Sequence, residues 1–168
     1  MQDVAINNTL KENKPKIFSV NACSLKGHYE HIKSGSMVQN SEVICIQETW
    51  IDPEKDNTDD LNLNGFSAHF TSIGRGKGIG TYFKDNFNFT EEVKKPNYQM
   101  SKVSSEDMDV INVYRSENAP CSFVDDLGSL ICTERITHIV GDFNIWYNTD
   151  KQNKVVKYLE KSGFRYNA

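Results

Sequence analysis

The sequence lacks the long apolar runs of a membrane protein. None of its 168 residues belongs to a run near the ~20 apolar residues that are needed to cross a bilayer. Residues 1–16, MQDVAINNTLKENKPK, also lack the apolar core of a signal peptide. These two absences argue against a membrane-bound or secreted protein and predict an intracellular one, nuclear or cytoplasmic.

Cysteine is sparse, and its spacing excludes the common cysteine-based sites. The chain has four cysteines, at positions 23, 45, 121 and 132, and none of them forms a CxxC motif. Cys45 and Cys132 lie inside apolar runs, where a small buried thiol is the usual finding. We therefore predict reduced cysteines in the core, and no zinc site or disulfide framework.

An excess of basic residues is also absent. The formal net charge is -4 and the pI is about 5.6, which argues against a protein that coats nucleic acid nonspecifically. A local basic patch or a bound metal ion could still bind phosphate. The chain is 38% hydrophobic and 11% aromatic, a composition that suits one globular domain with a sizeable core.

Strands and helices alternate along most of the chain. Residues 1–15 are polar and are predicted to form a flexible arm or a join to an upstream region. The apolar patterns after this arm predict strands at 16–20, 41–50, 66–70, 108–115 and 137–144, and helices at about 25–39, 122–133 and 150–163. A glycine-rich stretch, GRGKGIGTYFK at 74–84, leads into a further strand. This alternation predicts an α/β or α+β fold with layered sheets.

Polar side chains follow four of the predicted buried strands. They are Asn21 after KIFSV, Glu48 after VICIQ, Tyr114 with Arg115 after DVINV, and Asp142 with Asn144 after HIV. Because side chains alternate along an extended chain, Asp142 and Asn144 should point to the same side while Phe143 enters the core. Asp and Asn also occur at strand ends because their side chains hydrogen-bond the nearby backbone in turns. This structural explanation would have to apply separately to all four strand ends.

These residue types suit hydrolysis of a phosphate ester. A hard ion such as Mg2+ is held by one or two carboxylates, neutralises phosphate oxygens and stabilises the leaving alkoxide. Glu48 is the candidate ligand for that ion. Asp142, steered by Asn144, could hold or deprotonate the attacking water, while Tyr114 and Asn21 hydrogen-bond phosphate or carboxylate partners.

Five ordered blocks carry a family resemblance. SVNACSL, ICIQETW, GRGKGIGTYFK, INVYRS and IVGDFN resemble the endonuclease/exonuclease/phosphatase superfamily, which includes abasic-site endonucleases and DNase I. The likeness is strongest to endonuclease domains of mobile elements, either of non-LTR retrotransposons or attached to the helicases of rolling-circle transposons. It covers Lys16 to Phe164, and it implies that residues 16–168 form an incomplete domain of this superfamily.

The resemblance implies a DNase I-like fold, a four-layered α/β sandwich of two mixed sheets flanked by helices, truncated at its C-terminal side. It implies DNA as the substrate and Mg2+ as the cofactor, with Mn2+ able to substitute and no small organic cofactor. The implied residues are Asn21, Glu48, Tyr114, Asp142 and Asn144 for catalysis; Glu48, Asp142 and Asn144 for the metal; and Arg75, Lys77 and Arg115 for substrate binding.

The sequence departs from the superfamily pattern at its end. After SGFRYNA it has no Asp-His pair, whose histidine contacts the scissile phosphate in relatives, and it has no histidine beyond His138. One well-placed donor can be worth roughly 10²- to 10³-fold in rate. We therefore expect weak or no activity from this chain as given, and we expect a downstream segment of a longer polyprotein as a possible partner.

Three functions remain open at this point: a metal-dependent DNA endonuclease that nicks DNA, a catalytically degenerate binding module, and a phosphatase of a phosphoinositide or another phosphate ester. The GRGKGIG stretch lacks the Gly-Lys-Ser/Thr ending of a P-loop and leads into a strand, which argues against nucleotide binding. Trp50 and Trp146 follow the two acidic motifs and are predicted to pack at the rim of the site. Stacking on a nucleic-acid base is the less favoured alternative.

Overall fold

The computed structural model describes residues 5–7, 16–74, 76–145 and 150–167. These residues form ten strands and four α-helices. The strands are β1 (Ala5–Asn7), β2 (Ile17–Asn21), β3 (Val43–Gln47), β4 (Ser67–Thr71), β5 (Ile79–Phe83), β6 (Asn88–Lys95), β7 (Tyr98–Ser104), β8 (Met108–Arg115), β9 (Ile136–Asp142) and β10 (Arg165–Asn167). The helices are α1 (Leu25–Ser34), α2 (Ser36–Gln39), α3 (Ser122–Leu130) and α4 (Asp150–Lys161).

The strands form two mixed sheets. The six-stranded sheet has the order β10-β1-β9-β8-β7-β6, and the four-stranded sheet has the order β2-β3-β5-β4. Each sheet contains one parallel pair, β8 with β9 and β2 with β3, and its other neighbours are antiparallel. Both sheets therefore combine parallel and antiparallel pairs, as expected for the mixed sheets of the predicted α/β or α+β fold.

Three apolar clusters define four layers. One cluster packs α1 and α2 on the outer face of the four-stranded sheet through Ile44 and Ile46. The second fills the space between the sheets and includes Val43 and Cys45, because alternate residues of β3 face opposite sides. The third packs α3 and α4 on the outer face of the six-stranded sheet. The predicted four-layered sandwich is confirmed.

The space between the sheets also contains a buried polar network. The Gln47 amide donates to Asn112 Oδ1 at 2.7 Å, and the Asn112 amide donates to Gly80 O at 3.1 Å and to Thr81 Oγ1 at 3.0 Å. Thr81 Oγ1 in turn hydrogen-bonds to Ser101 Oγ at 2.6 Å. Buried polar groups are costly without partners, so this chain of bonds fixes how the two sheets lie on each other.

Several boundaries differ from the sequence prediction. The helix predicted at 25–39 is two helices, because Gly35 adopts an extended conformation with ψ 127° and interrupts it. The strand predicted at 137–144 is β9, which begins at Ile136 and ends at Asp142. Ala5–Asn7, inside the predicted N-terminal arm, pairs with β9 and β10 as β1. Within the described residues, no helix is both long and apolar enough to cross a membrane.

Glu92 of β6 ties the two sheets together at one edge. Its carboxylate accepts a hydrogen bond from Thr71 Oγ1 at 2.7 Å, lies 2.9 Å from His69 Nε2, and pairs with Lys94 Nζ at 3.0 Å. Burial raises the pKa of this carboxyl, but the hydrogen bonds from His69, Thr71 and Lys94 outweigh burial. The Glu92 pKa therefore lies below its ordinary value of 4.5.

This depressed pKa predicts a stability that depends on pH. Ionised Glu92 stabilises the fold fully above its unfolded-state pKa, and the contribution disappears as the pH falls through the lower folded-state pKa. We expect urea unfolding to show a smaller loss of stability between pH 7 and pH 3 in Glu92→Gln than in the wild type. Glu160→Gln, on an exposed position of α4, serves as the control, and its free energy of unfolding should fall as much between pH 7 and pH 3 as that of the wild type. An unchanged pH dependence in Glu92→Gln would contradict the role of this carboxylate.

Candidate active site

The two parallel strand pairs bring four of the predicted residues to one place. Asn21 ends β2 and Glu48 directly follows β3, its parallel neighbour. Tyr114 of β8 is the register partner of Asp142, the last residue of β9. Because β2 also packs against β9, the carboxyl ends of both pairs meet. The site therefore spans the two sheets.

The side chain of Asn21 joins the two carboxylates. Its Nδ2 atom donates to Glu48 Oε1 at 3.1 Å and to Asp142 Oδ2 at 2.9 Å. An amide NH2 group has two hydrogens, so this pair of bonds uses its donor capacity fully. Glu48 and Asp142 are 94 positions apart in the numbering and yet share one nitrogen.

The residues after β2 fix the orientation of that amide. The backbone N–H of Cys23 donates to Asn21 Oδ1 at 3.1 Å, and the Cys23 thiol lies 3.3 Å from the same oxygen. An oxygen held by these donors leaves the NH2 group pointing at the carboxylates. A flipped amide would bring its NH2 group against the Cys23 N–H and lose both carboxylate bonds.

A tight turn after β9 orients Asp142. The backbone N–H of Asn144 donates to Asp142 Oδ1 at 3.0 Å, so each oxygen of this carboxylate has one donor. The Asn144 amide donates to the backbone carbonyl of Arg115 at 2.8 Å, which anchors the turn to the end of β8. Phe143 is buried in the core between these two residues, as its place in the sequence predicts.

Backbone strain is concentrated around this site. Five residues other than glycine have a positive φ in the described part of the chain, and all of them lie in the turns after β2, β3 and β9. They are Cys23 (43°), Ser24 (95°), Glu48 (51°), Trp50 (57°) and Asn144 (45°). Such conformations cost about 1–3 kcal/mol each and persist where the surroundings enforce them, most often at functional sites.

Backbone hydrogen bonds between loops enforce the strained conformations. The Ser24 N–H donates to the Glu48 carbonyl at 2.9 Å. On the other side, the N–H groups of Thr49 and Trp50 donate to the carbonyls of Gly78 and Lys77, at 3.1 and 2.9 Å. The glutamate is therefore held between the loop after β2 and the glycine-rich loop before β5.

Tyr114 lies next to both carboxylates and is buried. Burial raises the pKa of its phenol above the usual value of 10, and the negative charges of Glu48 and Asp142 raise the pKa further. The phenol therefore stays protonated at neutral pH and is available as a hydrogen-bond donor. Nothing in its surroundings favours a phenolate.

The carboxylate pair suits a hard divalent cation. Glu48 and Asp142 converge on one amide, and neither carboxylate belongs to an ion pair with Lys, Arg or His among the described residues. Among the residues that the structure describes, Glu48 Oε2 has only a long contact, 3.7 Å, with the Cys23 thiol. No cluster of three or more His, Cys, Asp or Glu groups able to hold a metal occurs in the same part of the chain. Two carboxylates completed by water and substrate oxygens match the coordination habits of Mg2+.

The three residues predicted to bind substrate have different positions. Arg75 lies outside the described residues. Lys77 is in the loop next to the site, and its Nζ donates to the carbonyl of Pro96. Arg115 is not brought to the site, because it follows Tyr114 on the same strand and so faces the opposite side of the sheet.

The structure corrects the prediction for Arg115. Its side chain is 2% exposed, its guanidinium lies over the ring of Phe123, and Nη1 donates to the Phe143 carbonyl at 3.1 Å. Burial lowers the pKa of this guanidinium. Arg115 therefore stabilises the turn that carries Asp142 and Asn144, through its hydrogen bond to the Phe143 carbonyl.

Cys23, whose N–H and thiol contact Asn21 Oδ1, was not among the predicted site residues. Of the four cysteines, only Cys45 is fully buried, while Cys23 and Cys121 are exposed and Cys132 is half-buried, so the prediction of four core cysteines is wrong. All four are free thiols. Partial burial and then the charge of Glu48 raise the pKa of the Cys23 thiol. Its position two residues after Asn21 was the available signal.

Solved structures with similar folds include nucleases and phosphatases. An AP endonuclease from Archaeoglobus fulgidus has a TM-score of 0.68 and 13% identity, with 86% of this chain and 69% of that chain covered. A 3'-5' exonuclease from Neisseria meningitidis has a TM-score of 0.60 and 15% identity, with coverage of 87% and 70%. The endonuclease domain of a telomere-specific non-LTR retrotransposon has a TM-score of 0.62 and 12% identity, with coverage of 88% and 71%.

No protein-family model and no curated protein matches the chain by sequence. The likeness to the solved structures therefore concerns the fold. The DNase I-like α/β sandwich that the five sequence blocks implied is confirmed by these neighbours.

Proposed function

We propose that the protein is a divalent-metal-dependent phosphodiester hydrolase, and specifically a DNA endonuclease of the mobile-element type that nicks DNA. The observation that supports this most directly is the convergence of Glu48 and Asp142 on the amide of Asn21. Two carboxylates at one point without a basic partner are unfavourable for stability alone, and they are useful where a cation binds.

Each side chain has a distinct part in this proposal. Glu48 would hold the metal, with Asp142 and Asn144 as its other protein ligands. Mg2+, or Mn2+ in its place, would supply the charge that neutralises the phosphate oxygens and the leaving alkoxide. Asp142 orients an attacking water and accepts its proton, since Asn144 and Asn21 fix both carboxylate oxygens. Tyr114 donates its phenolic proton in a hydrogen bond to a phosphate oxygen.

DNA is the proposed substrate because similar folds occur in an AP endonuclease and in the endonuclease domain of a retrotransposon, and a further similar structure is bound to a product DNA hairpin. Fold alone does not determine the substrate, so a phosphatase and a binding module that has lost its activity are the alternatives. Lys77 and Arg75 are proposed to contact the DNA backbone from the glycine-rich loop.

A plasmid assay distinguishes these functions. We expect purified protein to convert supercoiled plasmid slowly to nicked circles with Mg2+ or Mn2+, in keeping with the weak activity expected of this chain, and to leave the plasmid supercoiled in EDTA. Identically purified Glu48→Ala should leave the plasmid intact, which excludes a contaminating nuclease. Plasmid that is bound but never cut would indicate a binding module. Release of inorganic phosphate from small esters without nicking would indicate a phosphatase, and either outcome would overturn the endonuclease proposal.

A further inference from the structure

The rim of the site exposes an aromatic side chain. Large exposed hydrophobic residues are few in the described part of the chain: Met37 at 68%, Ile73 at 44% and Trp50 at 43%. Met37 lies on α2, but Trp50 and Ile73 both lie in loops that surround the carboxylate pair. Trp50 is two residues after Glu48.

The backbone brings these two loops into contact. A Cβ atom added at Gly78 would lie 2.9 Å from Thr49 Oγ1 and 3.0 Å from Ser72 Oγ. The neighbours of Trp50 and Ile73 in the chain therefore pack on the same glycine. Together with the hydrogen bond from the Trp50 N–H to the Lys77 carbonyl, this contact holds the loop that carries Trp50 against the loop that carries Ile73.

Trp50 contributes little to folding in this position. Its φ of 57° is a conformation that glycine or asparagine adopts with much less strain, and its ring is exposed to water instead of filling the core. A bulky aromatic residue that is both strained and exposed, two positions from a catalytic carboxylate, indicates a contact that forms only on binding.

We infer that Trp50 is a stacking platform for an unpaired nucleobase next to the cleaved phosphate. This inference rests on the proposed function. It favours a nucleic acid as the substrate and argues against a small phosphate ester. Every base has an apolar face that stacks on indole regardless of sequence. The Lys77 ammonium in the same loop complements the phosphate backbone that carries the base.

Binding without metal tests the platform independently of hydrolysis. The assay measures anisotropy of a labelled oligothymidylate in EDTA at low salt, so a protein that fails to cut DNA can still be measured. The second probe is an oligonucleotide of the same length and charge whose sugars carry no bases. Trp50→Phe keeps an aromatic ring, Trp50→Asn relieves the left-handed backbone, and Met37→Ala is the control for loss of an exposed apolar side chain.

We expect Trp50→Asn to weaken oligothymidylate binding by about 5- to 150-fold, the loss that corresponds to one stacked base at ~1–3 kcal/mol. Trp50→Phe should retain most of the affinity, and Met37→Ala all of it. The probe without bases should bind wild type and Trp50→Asn equally weakly. Trp50→Asn should melt no lower than the wild type, which shows that it folds.

Two results would overturn the platform. One is equal oligothymidylate affinity in wild type and Trp50→Asn, and the other is equal binding of the two probes by the wild type. Either result leaves the plasmid assay of the endonuclease proposal unaffected. Conversely, if the protein stacks bases through Trp50 but never nicks plasmid, the platform is supported and the endonuclease proposal is contradicted.

Discussion

Glu48→Gln is expected to lower metal-dependent nicking by at least about 10²- to 10³-fold, the effect of removing one preorganised charged group from a phosphoryl-transfer site. The substitution keeps the size of the side chain and an oxygen that can accept the Asn21 hydrogen bond. It removes the charge that a cation would bind. The loss should therefore arise from chemistry and not from misfolding, and nicking rates on supercoiled plasmid measure it.

The same substitution should make the metal-free protein more stable. Two unit charges about 6 Å apart repel by roughly 1–3 kcal/mol in an effective dielectric of about 20 to 80, and Glu48 and Asp142 both lie within hydrogen-bond distance of one nitrogen. We expect Glu48→Gln to raise the free energy of unfolding in EDTA by about 1 kcal/mol. Glu30→Gln, on an exposed position of α1, should change neither activity nor stability. A decrease in both stability and activity would indicate that Glu48 is a structural residue.

Gly141→Ala is expected to be the most destabilising single substitution near the site. Gly141 has φ 140°, and a Cβ atom there would lie 1.9 Å from the carbonyl oxygen of Val113 on the neighbouring strand. Backbone atoms of a central parallel pair cannot move away without breaking the pair. We expect a loss of at least about 3 kcal/mol in the free energy of unfolding, at the upper end of the range for overpacking, with loss of the adjacent Asp142 geometry.

Gly65→Ala is the matched control for this effect. Gly65 also has a positive φ, 81°, but nothing lies within 4 Å of the position of its missing Cβ. Its substitution should cost only the conformational strain of about 1–2 kcal/mol. Urea unfolding of both variants distinguishes the cost of backbone strain from the cost of the steric clash with Val113. Equal losses in the two variants would show that β8 and β9 are not as close as the structure places them.

The sequence indicated which polar side chains would lie close together because strand ends leave a readable pattern. Apolar runs that stop at Asn21, Glu48 and Asp142 indicated which ends carry polar groups, and the parallel pairs of the fold brought those ends together. β8 was predicted with its observed bounds, since MDVINVYR combines β-branched residues with a clear end.

The prediction failed for Arg115 although a simple rule was available. Adjacent residues on a strand face opposite sides, so Tyr114 and Arg115 cannot both point into one site. The Arg115 guanidinium does not face the site but donates to the Phe143 carbonyl, in the turn that follows Asp142.

Other strands and backbone conformations could not be predicted from the sequence because tertiary contacts determine them. β6 and β7 were not predicted, because β6 is largely charged and β7 buries polar residues such as Gln99 and Ser101. Their polar side chains are satisfied by partners distant in sequence, such as Thr81 for Ser101. The left-handed conformations of Glu48 and Trp50 depend likewise on the glycine-rich loop around Gly78.

Calorimetric titration with Mn2+ tests the central claim most directly, because it measures metal binding without requiring that the protein cut DNA. The wild type is predicted to bind Mn2+ with measurable heat, and Glu48→Gln and Asp142→Asn to bind it at least about 10-fold more weakly, since each removes one of two carboxylates from the same site. Glu30→Gln should bind as the wild type does. Wild-type protein that binds no Mn2+, or Glu48→Gln that binds it with unchanged affinity, would contradict the account of Glu48 and Asp142 as carboxylate ligands of one metal site.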